Sequence, residues 1–316
     1  MENFKKNKGE ATMKTVKIGN KLTASALALG CMRISGMQDA EVCKLIQTAL
    51  EGGINFFDHA DIYGGGDAER VFGKAVKGMG IARDEIIVQT KCGIRQGFFD
   101  FSKEHIVTSL ENSLTRLGMD YVDVYLLHRP DTLMEPEEVA EAFTALHKAG
   151  KVRHFGVSNH NSGQIRLLNK YLDTPLTVNQ LQFSPTNTGM IDVGLNVNMQ
   201  NALSVDHDGS ILEFCRLEGI TIQAWSPFQY GFFEGVFLGS EKYPELNKEI
   251  NSLASQKGVT PEAIVMAWIL RHPAKMQAIP GTTNVERLKG MCKANTFELS
   301  RQEWYAVYRA AGNVLP

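Results

Sequence analysis

The chain alternates eight times between segments typical of β-strands and segments typical of α-helices. Apolar or β-branched runs, each the length of one strand, lie at 25–31, 54–58, 86–91, 122–128, 152–158, 176–183, 219–225 and 276–280. Segments whose apolar residues recur with helical spacing lie at 39–52, 67–78, 103–117, 136–149, 162–172, 209–218, 246–271 and 284–294. Strands that alternate with helices pair in parallel, in a sheet that helices cover on both faces. The alternation therefore predicts an α/β fold with eight parallel strands.

Two architectures satisfy this alternation, a closed eight-stranded barrel and an open, doubly wound sheet. The count of eight favours the (β/α)8, or TIM, barrel. Polar residues stand at the ends of at least six strand-like runs. In a barrel the C-terminal ends of all strands lie at one mouth, whereas in an open sheet the unusual polar residues would be concentrated at one crevice. No GxGxxG motif follows an early strand, and the run Gly64-Gly65-Gly66 is better explained as a turn into the helix at 67. We predict the closed barrel.

The barrel is predicted to occupy residues 14–316 as one catalytic domain, after a disordered extension at 1–13. It should open with a β-hairpin whose turn is Gly19-Asn20, and it should end with an additional amphipathic helix at 299–312. Helix ends carry their own signals, of which Ser102 is an example, since it is a plausible N-cap for the helix at 103–117. Pro136 and Pro261 stand where first-turn prolines are tolerated.

Two connections, at 184–208 and 228–245, are longer than plain turns and have the size of lids or binding loops. The second contains five aromatic residues that suit contact with a flat or apolar group, although a self-packed surface flap explains each equally well: Phe228, Tyr230, Phe232, Phe233 and Phe237. Substrate selection is expected of the loops at 31–37, 92–101, 129–135 and 228–245, with Arg33, Phe98 and Phe99 as candidate wall residues.

The composition narrows the possible partners and the cellular setting. The 316 residues carry a net charge of −2 and are 43% hydrophobic, which indicates a globular protein with no electrostatic reason to bind nucleic acid or an anionic membrane. The longest apolar run, AIVMAWIL at 263–270, is too short to cross a bilayer, and no apolar stretch follows the lysines at the start as it would in a signal peptide.

Five widely spaced cysteines without a CxxC motif argue against disulfides and structural zinc. We therefore expect a cytoplasmic location.

Four polar side chains stand at the ends of strand-like runs: Asp58 in INFFDHAD, Tyr63 in DIYG, Lys91 in IIVQTKCG and His128 in VDVYLLHRP. Ionisable groups next to buried strands are costly unless they pair with one another or take part in chemistry. Taken singly, each is better explained by a structural role. A barrel would bring all four together, because they follow three consecutive strands, and together they favour an active site.

These four groups suit the donation of a proton to a carbonyl oxygen. A free tyrosine has a pKa of about 10, and a nearby ammonium group lowers that value by stabilising the phenolate. Asp58 would keep the Lys91 ammonium group charged and in place, and His128 could hydrogen-bond and orient the carbonyl oxygen. The residues alone do not identify the donor of a hydride to the carbonyl carbon.

Seven segments resemble, in order, the signatures of the aldo-keto reductases: INFFDHADIYGGGDAER, QTKCG, LLHRPD, HFGVSNH, NQLQFS, AWSPF and AIPGTTNVERL. The resemblance extends from about residue 14 to the end of the chain. It implies a (β/α)8 barrel that binds NADP(H) without a Rossmann motif and reduces aldehydes or ketones to alcohols. It also implies that Tyr63 is the general acid/base, that Lys91 and Asp58 tune it, and that His128 orients the carbonyl group.

The resemblance assigns further residues to the cofactor. Ser158, Asn159 and Gln180 would hydrogen-bond the nicotinamide carboxamide, which suits two amides and a hydroxyl because a carboxamide both donates and accepts. Trp225 would stack on the nicotinamide ring, although core packing is the default explanation for a single tryptophan. The contacts toward the pyrophosphate and the 2′-phosphate would come from Ser226, Pro227, Phe228, Pro280, Gly281, Thr282, Thr283, Asn284 and Arg287.

The segment after the last strand departs from many members of the family. PGTTNVER replaces a more basic lysine-serine form, and Gly281 stands where a lysine often does. Thr282 and Arg287 still match the positions expected to hold the 2′-phosphate, and a guanidinium group can fork to a phosphate. Gly290 and Met291 depart from the acidic and amide residues that many members place over adenine. The predicted cofactor is NADP(H) rather than NAD(H).

Other functions stay open at this point. Some barrels of this family serve as cofactor-binding regulatory or interaction subunits with slow or vestigial reductase activity. A metal-dependent hydrolase lacks support, because the eight histidines show no HxH or HExxH motif, and no metal ligand is predicted. Cys92, beside Lys91, could be a nucleophile, but a buried strand-end cysteine is the favoured explanation. The sequence predicts a small aldehyde or ketone as substrate and makes no prediction of the oligomeric state.

Overall fold

The computed structural model describes residues 13–316. The predicted extension at 1–13 thus lies outside the described residues, except for Met13, whose side chain is buried in the core. The strands of the described part are β1 (Thr15–Ile18), β2 (Leu22–Ser25), β3 (Leu29–Gly30), β4 (Phe56–Asp58), β5 (Ile87–Cys92), β6 (Ile94–Arg95), β7 (Phe98–Phe99), β8 (Val122–Leu127), β9 (Val152–Ser158), β10 (Val178–Gln182), β11 (Thr221–Trp225), β12 (Gln229–Tyr230), β13 (Gly235–Val236) and β14 (Gln277–Ile279).

Eight of these strands form the predicted parallel barrel. Their order is β3-β4-β5-β8-β9-β10-β11-β14, and each pairs in parallel with its neighbours. The barrel closes where the Ala28 amide donates to the Ala278 carbonyl oxygen (2.9 Å) and the Gly30 amide donates to that of Pro280 (2.9 Å). This arrangement confirms the (β/α)8 fold and excludes the open sheet.

The helices have bounds close to the predicted ones. They are α1 (Asp39–Glu51), α2 (Asp67–Met79), α3 (Lys103–Leu117), α4 (Pro136–Lys148), α5 (Ser162–Tyr171), α6 (Gly189–Leu195), α7 (Ile211–Glu218), α8 (Pro244–Lys257), α9 (Pro261–Leu270), α10 (Val285–Cys292) and the additional C-terminal helix α11 (Arg301–Ala310). Ser102 caps α3 as predicted, by accepting a hydrogen bond from the His105 amide (3.3 Å). Among residues 13–316, no helix combines the length and the apolar character needed to cross a membrane.

One helix prediction is wrong. The segment 246–271 is not a single helix but two, α8 and α9, which are separated at 258–260. Gly258 ends α8 in the left-handed conformation (φ 65°), and Thr260 caps α9 by accepting a hydrogen bond from the Ala263 amide (3.3 Å). Pro261 lies in the first turn of α9, where an N–H group would have no partner within the helix. These local signals outweigh the continuous apolar spacing.

The predicted N-terminal hairpin closes the bottom of the barrel. β1 pairs antiparallel with β2, and the turn residues Gly19 and Asn20 have φ values of 53° and 59°, which only a few residue types adopt readily. Side chains of the hairpin join a small interior core with those of the barrel strands, made of Val16, Ile18, Ala24, Ala26, Ala28, Phe56, Ile87, Val124, Leu126, Val178 and Ile279. The larger core lies between the sheet and the helices. The opposite mouth of the barrel is left for polar residues.

The long connections at that mouth carry structure of their own. The connection at 184–208 contains α6 and a short 3-10 turn at Ala202–Ser204. In the connection at 228–245, β12 pairs antiparallel with β13. A third ladder, β6 with β7, lies within the loop at 92–101.

Candidate active site

The four predicted catalytic residues meet at one mouth of the barrel. Asp58 ends β4, Lys91 lies near the end of β5, and His128 directly follows β8, while Tyr63 begins a short 3-10 helix after β4. These three strands are neighbours in the sheet. Alternate side chains of a barrel strand point inward, which places the carboxylate and the ammonium group together in the interior.

Lys91 is the centre of this group. Its side chain is fully buried, and its Nζ donates to Asp58 Oδ2 (2.9 Å), to the His59 carbonyl oxygen (2.7 Å) and to Tyr63 Oη (3.1 Å). All three hydrogens of the ammonium group are thus used. A buried lysine keeps its charge here because the carboxylate and the two further acceptors offset the loss of hydration.

A layer of buried glutamines lies below these residues, and of its members only Gln180 was singled out from the sequence, for another role. Gln89 Nε2 donates to Asp58 Oδ1 (2.6 Å) and to Gln223 Oε1 (2.8 Å), and Gln180 Nε2 donates to the same two oxygens (3.2 Å each). Gln223 donates in turn to Gln277 Oε1 (2.8 Å). The available signal is an amide within each buried strand motif, as in IIVQTKC, ITIQAW and KMQAIP. The amides and Lys91 together hold both oxygens of the Asp58 carboxylate.

Burial raises the pKa of Tyr63 above its ordinary value, and the opposing effect of Lys91 is smaller. The sequence predicts that Lys91 lowers the pKa of Tyr63, which it does, but burial has the larger effect and the charge of Asp58 adds to it, so the net pKa is raised. Burial alone would lower the pKa of Lys91, but Asp58 and Tyr63 raise it more, so the net pKa is raised. At neutral pH the site therefore holds a protonated phenol beside a charged ammonium group.

His128 faces Tyr63 across the mouth, with the ring centroids 6.0 Å apart in an edge-to-face arrangement. Burial lowers the pKa of His128 well below its ordinary range, and the charges of Lys91 and Arg129 lower it further. The imidazole is therefore neutral at pH 7 and carries a single N–H donor. The phenol and the imidazole can each donate one hydrogen bond to a carbonyl oxygen placed between them.

A cavity of about 750 Å³ opens above these residues. Asp58, Tyr63 and His128 line it, whereas Lys91 does not and acts on it only through its hydrogen bonds. All but two of the predicted cofactor residues line the same cavity, namely Ser158, Asn159, Gln180, Trp225, Ser226, Pro227, Phe228, Gly281, Thr282, Thr283 and Arg287. The fold thus brings the two predicted sets together.

The three residues predicted to bind a carboxamide form a hydrogen-bonded set at the end of β9 and in the middle of β10. Asn159 Nδ2 donates to Ser158 Oγ (2.8 Å), which donates to the Gln180 carbonyl oxygen (3.1 Å). Asn159 adopts the left-handed conformation (φ 59°), which asparagine tolerates. Because Gln180 Nε2 is bound to Asp58 and Gln223, its Oε1 is left as an acceptor for a group in the cavity. The set is thereby linked to the Asp58 carboxylate.

Trp225 is fixed at the mouth by a hydrogen bond from its Nε1 to Asn159 Oδ1 (3.1 Å). Its indole stacks on Phe233, with centroids 5.9 Å apart and an interplanar angle of 24°. Phe233 packs edge-on against Phe232 (5.0 Å), which also belongs to the connection at 228–245. This connection therefore covers part of the cavity with aromatic side chains.

The segment after β14 forms the far end of the cavity. Arg287, in the first turn of α10, forms none of the ion pairs found within 4.0 Å among residues 13–316. Arg33 Nη1 donates to the Gly281 carbonyl oxygen (3.0 Å), and a Cβ added at 281 would lie 3.1 Å from that nitrogen. A side chain at 281 would therefore have to displace Arg33 slightly. Of the predicted wall residues, Arg33 lines the cavity, whereas Phe98 and Phe99 do not.

Two predicted cofactor residues do not line the cavity. The Pro280 carbonyl oxygen accepts the barrel-closing hydrogen bond from Gly30. Asn284 caps α10, with its Oδ1 accepting from the Arg287 amide (2.9 Å). Their contact with a cofactor stays a prediction.

Other reactive side chains near the site have structural surroundings. Cys92 is fully buried, and burial raises the pKa of its thiol well above the ordinary range, so no thiolate nucleophile is present at neutral pH. His160 bonds through Nδ1 to the Ser158 carbonyl oxygen (3.0 Å) and stacks on Phe101. Within residues 13–316, no group of three or more His, Cys, Asp or Glu side chains is placed to hold a metal ion.

His59, next to Asp58, predicts a specific loss of stability in acid. Its imidazole is fully buried against Phe72, and burial, followed by the charge of Lys91, lowers its pKa from 6.5 to about 3. Between these two pH values the unfolded state binds a proton that the folded state does not. The contribution of this group to the free energy of unfolding is therefore complete above pH 6.5 and is lost as the pH falls toward 3. We expect the free energy of unfolding of the wild type to fall by about 1.4 kcal/mol more per pH unit than that of His59→Leu. Denaturant titrations of both proteins between about pH 6 and pH 4 measure this, and parallel pH dependences would contradict a buried neutral imidazole.

The family of this protein follows from the match of its sequence to a known protein family. The sequence profile described as "Aldo/keto reductase family" matches residues 26–311, from just before β3 to the end of α11. The chain belongs to the aldo/keto reductase family. The resemblance found in the motifs is thereby confirmed, and the protein is an oxidoreductase by family.

Relatives of this aldo/keto reductase match it along nearly its whole length. It is 35% identical to "Uncharacterized oxidoreductase YcsN" of Bacillus subtilis (strain 168), over 94% of this chain and 98% of that protein. It is 33% identical to "6-dehydroglucose reductase" of Agrobacterium fabrum, over 95% and 98% respectively. Among solved structures, an aldo/keto reductase from Klebsiella pneumoniae in complex with NADP and acetate matches with a TM-score of 0.76 and 25% identity, over 96% of this chain and 98% of that one. Sequence and fold agree on the family.

Proposed function

We propose that this aldo/keto reductase reduces an aldehyde or ketone to an alcohol, with NADPH as the cofactor and Tyr63 as the general acid. The observation that carries the proposal is the fully buried Lys91 ammonium group, which is hydrogen-bonded both to Asp58 and to Tyr63 Oη below a large cavity. Ionisable groups with shifted pKa values that converge on a cavity mark a candidate catalytic site.

Tyr63 supplies the proton of this reaction. NADPH, when bound, supplies the hydride that adds to the carbonyl carbon. As negative charge develops on the carbonyl oxygen, Tyr63 Oη donates its proton to that oxygen, and the neutral His128 orients it by a hydrogen bond. The phenolate left behind is stabilised by Lys91 Nζ at 3.1 Å and regains a proton from solvent. One hydride and one proton are consumed for each carbonyl group that becomes an alcohol.

The two ends of the cavity suit the two ends of NADPH, the nicotinamide and the 2′-phosphate. At the catalytic end, Ser158, Asn159 and Gln180 offer the donors and acceptors for a carboxamide, beside the indole of Trp225. At the far end, the positively charged Arg287 forms no ion pair with any of the described residues. The hydroxyl of Thr282 lines the same region. The matching fold of the Klebsiella pneumoniae relative, which was crystallised with NADP, supports this assignment.

Consumption of NADPH in the presence of a panel of aldehydes, dicarbonyls and quinones tests the proposed function. The 33% identity to a 6-dehydroglucose reductase is a reason to include sugar aldehydes in the panel. We expect turnover with at least one class. Tight binding of NADPH without turnover of any carbonyl compound would contradict the proposal, and it would favour the cofactor-binding regulatory subunit instead.

Arg287→Ala tests the preference for the phosphorylated cofactor. A charge-assisted contact to the 2′-phosphate is worth roughly 1.5–3 kcal/mol, so we expect the Kd for NADPH to rise on the order of 10- to 100-fold. The Kd for NADH, which lacks this phosphate, should change by less than about twofold because the contact does not exist there. Fluorescence titration of both cofactors measures the two values, and equal losses would count against the 2′-phosphate role.

A further inference from the structure

We propose that Arg129 binds an anionic group of the substrate, so that the enzyme acts on aldehydes or ketones that carry a carboxylate. The inference rests on the proposed function, since Arg129 directly follows His128 and lines the cavity with Tyr63 and His128. The guanidinium group also interacts electrostatically with Tyr63, which places it at the catalytic end of the cavity.

Arg129 is a half-buried cation without an acidic partner. It forms none of the ion pairs found within 4.0 Å in the described part of the chain. Burial lowers the pKa of the guanidinium group, and only Tyr63 acts in the opposite direction. Two other partly buried arginines are paired with buried carboxylates: Arg83 with Asp123, and Arg116 with Glu69. A cation partly removed from water is normally paired, so a ligand is the expected partner of Arg129.

Two aromatic rings position the guanidinium group. Its Cζ lies 5.6 Å from the centroid of Trp225 and 5.6 Å from that of Phe232. Trp225 is itself fixed by its hydrogen bond to Asn159, so the arginine is held beside His128 before any ligand binds. A guanidinium group packed against rings keeps N–H groups at its edge, and their fork matches the two oxygens of a carboxylate.

The position of Arg129 favours the substrate over the phosphates of a cofactor. The far end of the cavity already has the cations Arg33 and Arg287, whereas Arg129 lies at the catalytic end. Exposed apolar side chains also line the cavity, namely Met32, Ile62, Phe232, Phe233 and Val236. They suit an apolar body between the carbonyl group and the carboxylate. The inferred substrate class is therefore an apolar or aromatic carbonyl compound with one negative charge, which the single charge of Arg129 balances.

A matched pair of aldehydes tests this inference. 4-Carboxybenzaldehyde and methyl 4-formylbenzoate share the ring and the reacting group and differ in the negative charge. For the wild type we expect kcat/KM for the acid to exceed that for the ester on the order of 10-fold or more. In Arg129→Gln the ratio of acid to ester should fall on the order of 10- to 100-fold, and in Arg129→Lys, which keeps the charge but loses the fork, by less.

Arg166→Gln is the matched control. Arg166 also lies over an aromatic ring, with its Cζ 4.8 Å from the centroid of Phe214, but it does not line the cavity. The ratio of acid to ester in this variant should equal that of the wild type. A second measurement needs no variant, because benzoate should inhibit the wild type on the order of 10-fold more strongly than benzamide.

The outcomes separate the inference from the function on which it rests. Equal ratios in the wild type and Arg129→Gln, or equal inhibition by benzoate and benzamide, would overturn the substrate class and leave the reductase function intact. Turnover of neutral aldehydes from the panel together with no turnover of the acid would also overturn it. Absence of NADPH-dependent turnover with every carbonyl compound would overturn the proposed function itself.

Discussion

Tyr63→Phe should lower kcat for carbonyl reduction by roughly 10²- to 10⁴-fold, which is the range typical of a lost general acid. The phenyl ring keeps its place, but no proton donor remains at Tyr63 Oη, and Lys91 retains its bonds to Asp58 and the His59 carbonyl oxygen. The Kd for NADPH should therefore change by less than about twofold, because no part of the cofactor site is removed. Turnover and fluorescence titration measure the two quantities.

Tyr171→Phe is the control for this prediction, since Tyr171 is exposed at the end of α5 and does not line the cavity. Its kcat and its Kd for NADPH should equal those of the wild type. Wild-type turnover by Tyr63→Phe would eliminate the acid role. Loss of both turnover and cofactor binding would instead assign the phenol to the cofactor site.

Lys91→Met should destabilise the fold as well as abolish activity. The substitution leaves the Asp58 carboxylate buried without its cation, and an uncompensated buried charge costs about 3–5 kcal/mol of unfolding free energy. The double variant Asp58→Asn, Lys91→Met removes both charges, and the amide that replaces the carboxylate would still offer an oxygen to Gln89 and Gln180. We expect the double variant to recover more than half of the lost stability but none of the activity.

Urea denaturation of the wild type, both single variants and the double variant gives the coupling free energy of the pair. A loss below about 1 kcal/mol in Lys91→Met would contradict a charged pair in the barrel interior. Substantial activity in the double variant would contradict the role of the pair in the chemistry. The two readouts therefore test the structural and the catalytic roles of the pair separately.

The elements of the fold were predictable because their signals are local. The start of α3, for example, follows from Ser102, which stands directly before the helix and caps it. The single helix predicted at 246–271 failed although Gly258 and Pro261 mark the break, because the apolar spacing continues across it. Barrel closure followed from the number of strands.

The sequence predicted that the candidate site residues lie close together, but it did not predict the pKa values of the groups among them. Asp58, Lys91 and His128 had to meet once their strands were neighbours, and Tyr63 had to join them because it lies five residues after Asp58. The sequence shows an amide in each buried strand motif, but the pairing of these amides and the isolated charge of Arg129 depend on contacts between distant segments. Gln180, for example, reaches Asp58 across 122 positions of the chain.

The sequence was enough to predict that eight strands and their helices close into a barrel, and that a phenol, an imidazole and an ion pair lie at its mouth. The folded structure was needed to show that burial outweighs the effect of Lys91 and raises the pKa of Tyr63, and that Arg129 has no carboxylate partner among the described residues. The difference arises because hydrophobic periodicity is a property of residues that are close in sequence. Desolvation and charge pairing, in contrast, are sums over every group that the fold brings within a few ångströms.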